Sequence, residues 1–213
     1  TGGFGGNTNR ELLLRWLAVS VFTPLMRNHS AIFTKNQECY RFRQPEDFRT
    51  IVSLRYRLLP YLYSEFMKAA LRRNMYIKPL AFDYPEDGKA REIEDQLMVG
   101  ESVMIAPILE QGAKGRIVYL PEPMTEVRYG SDGFTCINVG AGERTVMAPL
   151  NQVVFYIRQG KLVPVGKPAA NTAELDLLDV ELLGTGSVYE QYVDDGSTKR
   201  CGLEHCVIRR REA

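Results

Sequence analysis

Apolar and polar positions follow two different periods along this chain, and the change comes about a third of the way in. Before residue 75 the spacing is helical. Leu12, Trp16 and Val19 recur at turn intervals, and Asn7, Thr8 and Asn9 precede them with side chains able to cap a helix start. A longer helix is expected from near Asp47 to about Arg73, with Asp47 as its cap and with Ile51, Leu54, Leu58, Leu62 and Phe66 along a broad apolar face. Pro60 removes one backbone donor inside it, which predicts a kink. Between the two helices, Val21-Phe22-Thr23-Pro24-Leu25-Met26 is short, apolar and broken by proline, which predicts a buried strand or extended segment.

From about Tyr76 short apolar or β-branched runs alternate with turn clusters. Strands are expected at Ile77–Phe82, Ser102–Leu109, Arg116–Leu120, Thr145–Met147, Val153–Ile157 and Leu162–Val165. Two more strand-like stretches follow at Ala173–Leu183 and Val188–Val193. Pro85-Glu86-Asp87-Gly88, Ser131-Asp132-Gly133 and Arg158-Gln159-Gly160 mark turns between such runs. Strands punctuated this often predict an antiparallel sandwich or barrel. Two helices and one strand bury too little surface to fold alone. Strand–helix alternation that passes into an all-β section fits the end of a (β/α) barrel followed by an antiparallel β-sandwich. On that reading the sandwich stands alone, and the isolated chain exposes the apolar faces of both helices.

Composition removes several function classes. The 213 residues carry 27 basic and 26 acidic side chains for a net charge of +1, and the basic runs, Arg72-Arg73, Lys199-Arg200 and Arg209-Arg210-Arg211, are short and scattered. Neither balance nor clustering suits nucleic acid. No apolar stretch reaches the ~18–20 residues of a membrane span. Cys39, Cys136, Cys201 and Cys206 match no zinc spacing and no CxxC motif, and His29 and His205 are the only histidines, so no structural metal is expected. Reduced thiols favour a cytoplasmic location. The opening Thr1-Gly2-Gly3-Phe4-Gly5-Gly6 resembles neither a secretory signal nor a start methionine and suggests an excerpt of a longer protein.

Candidate chemistry concentrates at Arg27-Asn28-His29-Ser30, just after the expected strand. Side chains at the C-terminal ends of barrel strands face the substrate pocket. A neutral imidazole there donates one hydrogen bond and accepts another, which suits adjacent sugar hydroxyls. A structural histidine is the alternative. Arg27 pairs with a site carboxylate or anchors the strand end. Phe4, in a loop of four glycines, offers an apolar wall to a ligand. Glycoside hydrolysis with retention uses two carboxyl groups ~5–5.5 Å apart. Glu38, Asp47, Asp83, Asp87, Asp194 and Asp195 are available, but Asp47 suits a cap and Asp87, Asp194 and Asp195 suit turns. No complete catalytic set is visible.

Several segments in order resemble glycoside hydrolase family 31. They are Gly2-Gly3-Phe4 with Glu11-Leu12, Arg15-Trp16 and Arg27-Asn28-His29, then Gln37-Glu38, then Leu54-Arg55-Tyr56-Arg57-Leu58-Leu59-Pro60-Tyr61-Leu62-Tyr63. Lys78-Pro79-Leu80, Asp95 to Gly100, Ala106-Pro107-Ile108, Tyr119-Leu120-Pro121 and Pro149 to Gly160 continue the series. The resemblance implies that residues 1–75 end a (β/α)8 catalytic barrel. Residues 76–166 are then a proximal C-terminal β-sandwich, and 167–213 begin a distal β region or tail. It further implies a retaining α-glycosidase of α-glucosidase or α-xylosidase type, which needs no metal or organic cofactor. Thr1 would follow an aspartate that ends the seventh barrel strand, and both catalytic aspartates would lie outside this chain. His29 would bind hydroxyls of the terminal sugar, Phe4 would wall that subsite, and Arg27 would support its geometry. The implied partners are an α-linked oligosaccharide and the missing N-terminal part of the same enzyme. Departures fall at Cys39-Tyr40, at Glu126-Val127-Arg128-Tyr129, and over Cys201 to Ala213, where nothing corresponds. The rival reading is a non-catalytic β-sandwich module that binds glycans or stiffens a partner; a lyase of the same family is a third.

Overall fold

The computed structural model describes residues 2–197 and 199–211. The sequence expectations for Thr1 and for the last two residues of the tail therefore lie outside the described residues.

The first helix, α1 (Arg10–Ser20), starts where the Asn9 side chain accepts a hydrogen bond from the Leu12 amide at 2.8 Å. Its inner face is Leu13, Leu14 and Leu17, whereas Leu12 and Trp16 stay 40% and 47% exposed. The Leu12–Trp16–Val19 stripe is thus the outer one, and it lines a groove with Pro107, Ile108 and Leu109. A helix apolar around most of its circumference does not declare which stripe its neighbour takes.

A short 3₁₀ turn at Cys39–Arg41 leads to α2 (Pro45–Arg72). This helix begins two residues before Asp47, because Pro45 fits the first helical position, where its missing N–H costs nothing. Asp47 is not the cap but a first-turn residue paired with Arg10. The helix runs on through Pro60 and ends at Arg73 in the left-handed region (φ 56°).

The remaining elements are β1 (Ile77–Pro79), α3 (Leu80–Asp83), α4 (Gly88–Glu92), β2 (Leu97–Val99), β3 (Val103–Ile105), β4 (Gly115–Leu120) and β5 (Met124–Gly130). Then come β6 (Gly133–Val139), β7 (Gly142–Met147), β8 (Val153–Arg158), β9 (Leu162–Gly166), β10 (Val180–Gly184), β11 (Val188–Tyr192) and β12 (Cys206–Arg210). The strand expected to reach Phe82 stops at Pro79, which has no N–H for the ladder. The stretch expected from Ser102 to Leu109 shrinks to three residues before Pro107, and Ala173–Leu183 keeps only its last part as strand. The Ser131-Asp132-Gly133 turn joins β5 to β6, a hairpin whose outer strand the apolar pattern does not show, since residues 135–138 are exposed.

The strands β1-β2-β3-β8-β5-β6 form one six-stranded sheet, antiparallel at every junction. Its alternation feeds two cores. Val103, Val127, Phe155 and Ile157 face α1 and α2, while Met104, Met124 and Tyr156 face Val118, Leu120 and Val146 of the β4–β7 pair. The apolar face of α2 is therefore covered, with Ile51, Leu54, Leu58 and Tyr61 at 0% exposure. The expectation that both helices lie bare is corrected: the outer stripe of α1 is open, and on α2 Phe66 stays 44% exposed while the rest of the expected face is covered.

Polar side chains of α2 fasten the rest. The Tyr61 hydroxyl donates to the Val99 carbonyl at 2.6 Å and accepts from the Ser102 and Val103 amides at 3.0 and 3.2 Å. Glu65 and Lys68, each 3% exposed, pair at 2.6 Å. The Tyr189 hydroxyl donates to Glu65 at 2.7 Å, the Glu101 amide donates to its other oxygen at 2.9 Å, and Lys68 donates to the Glu190 carbonyl at 2.9 Å. A buried ion pair survives when its remaining lone pairs and protons are satisfied in this way. Gly100 (φ +62°) makes room for it, since a Cβ there would lie 2.4 Å from Glu65 Cγ.

Candidate functional site

The Val21–Met26 segment is not a strand; residues 21–38 contain none, all of them being described. A strand needs a hydrogen-bonded neighbour, and side chains take up the carbonyls instead. Arg55 of α2 donates through Nη1 to Val21 and Thr23, both at 2.7 Å, and through Nη2 to Pro24 at 3.2 Å. The Tyr76 hydroxyl donates to Phe22 at 2.9 Å, and Thr23 Oγ1 lies 2.9 Å from the carbonyls of both Ser20 and Leu25. With the Thr23 amide donating to the Ser20 carbonyl at 3.1 Å, six successive carbonyls, from residue 20 to residue 25, each have a donor. Burial lowers the pKa of the Arg55 guanidinium and raises that of the Tyr76 hydroxyl.

Beyond this clamp the chain reaches Arg27, Asn28 and His29. Gln37, 2% exposed, anchors them from the other side. Its Nε2 donates to Asn28 Oδ1 at 2.5 Å and to the His29 carbonyl at 2.8 Å, while Asn28 Nδ2 donates to the Gln37 carbonyl at 2.8 Å. The imidazole itself faces solvent. It meets Phe4, whose ring lies 4.8 Å away, centroid to centroid, at 54°. The Ala31 amide donates to the Phe4 carbonyl at 3.0 Å, and the Lys35 amide donates to Asn7 Oδ1 at 2.8 Å, so the two loops are tied together. Gly2 and Gly3, at φ +85° and +86°, turn the first loop, and a Cβ on Gly2 would meet Leu13 at 2.7 Å. Two of the three residues singled out from sequence thus meet. Arg27 lies exposed two positions before His29.

The first loop is carried by α1, which is docked on the β layers. Arg15 donates to the Ala148 and Ala113 carbonyls at 2.8 and 2.9 Å, and the Gly112 amide donates to Glu11 at 2.8 Å. Burial lowers the Arg15 pKa.

The candidate carboxylates are mostly engaged elsewhere. Asp47 pairs with Arg10; Asp83 pairs with Lys78 at 2.5 Å and Arg158 at 3.6 Å. Asp87 caps α4 and accepts from the Tyr119 hydroxyl at 2.7 Å. Asp194 accepts from the hydroxyls of Tyr63 (2.8 Å) and Tyr192 (3.0 Å), while Asp195 accepts from the Ser197 amide at 2.9 Å. Burial first, and then Asp194, pushes the Tyr63 pKa up to about 12. Glu38 alone is an exposed carboxylate next to the site segment. Among the described residues no group of three His, Cys, Asp or Glu side chains is placed to hold a metal ion, and all four thiols are free. No helix among them is long and apolar enough to cross a membrane.

Sequence reasoning did not single out Gln37, Arg55 or Tyr76 for the site. A signal existed for Arg55: it lies four residues after Ile51 and three before Leu58, on the buried stripe of α2, where a cation needs acceptors.

Two family models match in succession: the Glycosyl hydrolases family 31 TIM-barrel domain over residues 1–65 and the Glycosyl hydrolase family 31 C-terminal domain over residues 73–163. Among curated proteins the chain is 34% identical over 217 residues to the lysosomal alpha-glucosidase of Bos taurus, covering 92% of this chain and 23% of that protein. It is likewise 34% identical over 211 residues to the alpha-glucosidase of Aspergillus niger, covering 93% of this chain and 21% of that one. Among solved structures, a glucosidase II alpha subunit bound to Glc1Man2 superposes with a TM-score of 0.83 at 26% identity, over 98% of this chain and 24% of its own. The chain therefore spans about a quarter or less of the proteins it resembles.

Proposed function

The chain belongs to glycoside hydrolase family 31, and from that membership we propose that it is the C-terminal portion of a retaining α-glycosidase, of α-glucosidase type. Its substrates are α-linked oligosaccharides, cleaved at the terminal non-reducing sugar. Residues 1–75 close the catalytic barrel, 76–166 form the proximal β domain, and 167–213 open a distal one. The nucleophile and the acid are supplied by the preceding part of the same enzyme, its obligatory partner.

The observation that carries this reading is the contact of Phe4 with His29, an apolar face beside an imidazole, both presented to solvent. A pyranose offers the complementary pattern of an apolar ring face edged by hydroxyls. Phe4 packs on the ring while the His29 ring nitrogens engage neighbouring hydroxyls, and Arg27 supports their arrangement. The absent nucleophile attacks C1 and the absent acid protonates the leaving oxygen, then draws a proton from water in the second step. His29 contributes where its hydrogen bonds tighten as the ring distorts.

In the parent enzyme, His29→Ala should lower kcat/KM for an aryl α-glucoside by about 10²–10³-fold, the several kcal/mol that such hydroxyl contacts supply, with the melting temperature held. Unchanged turnover would remove His29 from the site. The engagement of Asp47, Asp83, Asp87 and Asp194 in structural bonds favours one further statement. These 213 residues alone should not hydrolyse the glucoside, and turnover by them would return Glu38 to consideration as a catalytic group.

A further inference from the structure

We propose that Arg55 and Tyr76 are positioning residues for the site, acting on substrate only through His29; this rests on the glycosidase reading above. The segment that delivers His29 has no ladder to hold it, although it passes within a few residues of the reacting sugar. Its carbonyls from Val21 to Pro24 are held by two side chains, the guanidinium of Arg55 and the phenol of Tyr76. Both come from elements that are themselves fixed. Arg55 sits between the fully buried Leu54 and Leu58 on α2, and Tyr76 is 9% exposed, just ahead of β1. Met26 packs on the same core, so the path from the clamp to Arg27 starts from a fixed point.

The chemistry of the clamp is specific to its residue types. A guanidinium is a planar fork with donors on both terminal nitrogens, and here it spans three carbonyls of one turn. A lysine in its place keeps the charge but concentrates it at one point, so at least one carbonyl returns to water and the turn relaxes. Gln37 fixes the far side of the site through the His29 carbonyl. Relaxation upstream therefore appears as a rotation of the imidazole about that anchor, away from the sugar hydroxyls. Misplacement by about 1 Å costs on the order of 10²-fold in rate.

The test is a double-mutant cycle in the parent enzyme, with kcat and KM for an aryl α-glucoside and the melting temperature as readouts. Arg55→Lys should lower kcat/KM by about tenfold to a hundredfold. In the His29→Ala background the same substitution should cost less than about twofold, because the group it positions is gone. Its effect on the melting temperature should be equal in both backgrounds. Tyr76→Phe deletes a single hydroxyl and should follow the same pattern with a smaller loss, which keeps the test open if Arg55→Lys fails to fold. If either substitution lowers kcat/KM equally with and without His29, the clamp acts on stability or elsewhere in the site, and the proposal is wrong. If His29→Ala alone changes nothing, the site reading fails first, independently of the clamp.

Discussion

Between Val21 and Gln37 the backbone is held chiefly by side chains, some its own and some reaching in from elsewhere; between Leu97 and Gly166 it is held chiefly by other backbone. In the first region Arg55, Tyr76, Thr23 and Gln37 each take specific carbonyls. In the second, register after register of antiparallel pairs takes them anonymously. A ladder tolerates most side-chain changes as long as the faces stay apolar. A clamp fails with the one residue that makes it. The region that presents Phe4 and His29 is thus the one whose shape depends on individual polar side chains, and the layered region beneath it supplies the rigidity.

The sharpest probe of this contrast is amide exchange. Amides in β3, β5 and β8 should be protected over those of residues 25–37 by on the order of 10³-fold or more. Comparable protection in both would abolish the distinction. Phe155, at 0% exposure and edge-on to Phe22 at 5.5 Å, tests the layered side. Phe155→Ala should cost about 3–5 kcal/mol in chemical denaturation. Arg15 fastens α1, which carries the Phe4 loop, to the layered region, and Arg15→Met should cost roughly 1.5–3 kcal/mol, the worth of hydrogen bonds from a charged donor. Asn9→Ala, which removes the α1 cap, should cost about 1 kcal/mol.

The smallest effect concerns pH. The Tyr119 hydroxyl, followed by the Ala90 and Lys89 amides, holds the Asp87 carboxyl below its usual value of 3.8. A depressed carboxylate contributes its stability above the unfolded pKa and loses it as pH falls through the folded one. The advantage of the natural protein over Asp87→Asn should be full above about pH 4 and should close on further acidification, read as paired denaturation midpoints. An advantage that persisted at the lowest pH would place it in geometry rather than charge.

Much of the layered region was legible in the sequence because its determinants are local. Gly133 and Gly160 turn the chain at φ +89° and +73°, the first inside the β5–β6 hairpin and the second between β8 and β9. Asn9 capped its helix as read, and α2 ended where expected. What escaped depended on distant neighbours. Leu12, Trp16 and Val19 are as regular as Leu13, Leu14 and Leu17, so only the position of α2 selects the inner stripe. Val21 to Met26 has the composition of a strand, and the bonds that replace a ladder come from Arg55 and Tyr76, 32 and 54 residues away along the chain. Phe4 and His29 could be named from residue type and resemblance, while Gln37, which fixes their geometry, stood only within the Gln37-Glu38 pair of the resemblance, with nothing local to give it a role at the site.

The Glu65–Lys68 pair sets an order of events during synthesis. Within α2 the two side chains find each other at once, three residues apart, but the Tyr189 hydroxyl that completes the shell of Glu65 lies 124 residues later. At about 5–20 residues per second that interval lasts roughly 6–25 s. Throughout it α2 carries a hydrated ion pair on the face that β11 will cover, a polar spot on an otherwise adhesive helix. The joint between α2 and β11 can therefore close only once those last strands have emerged.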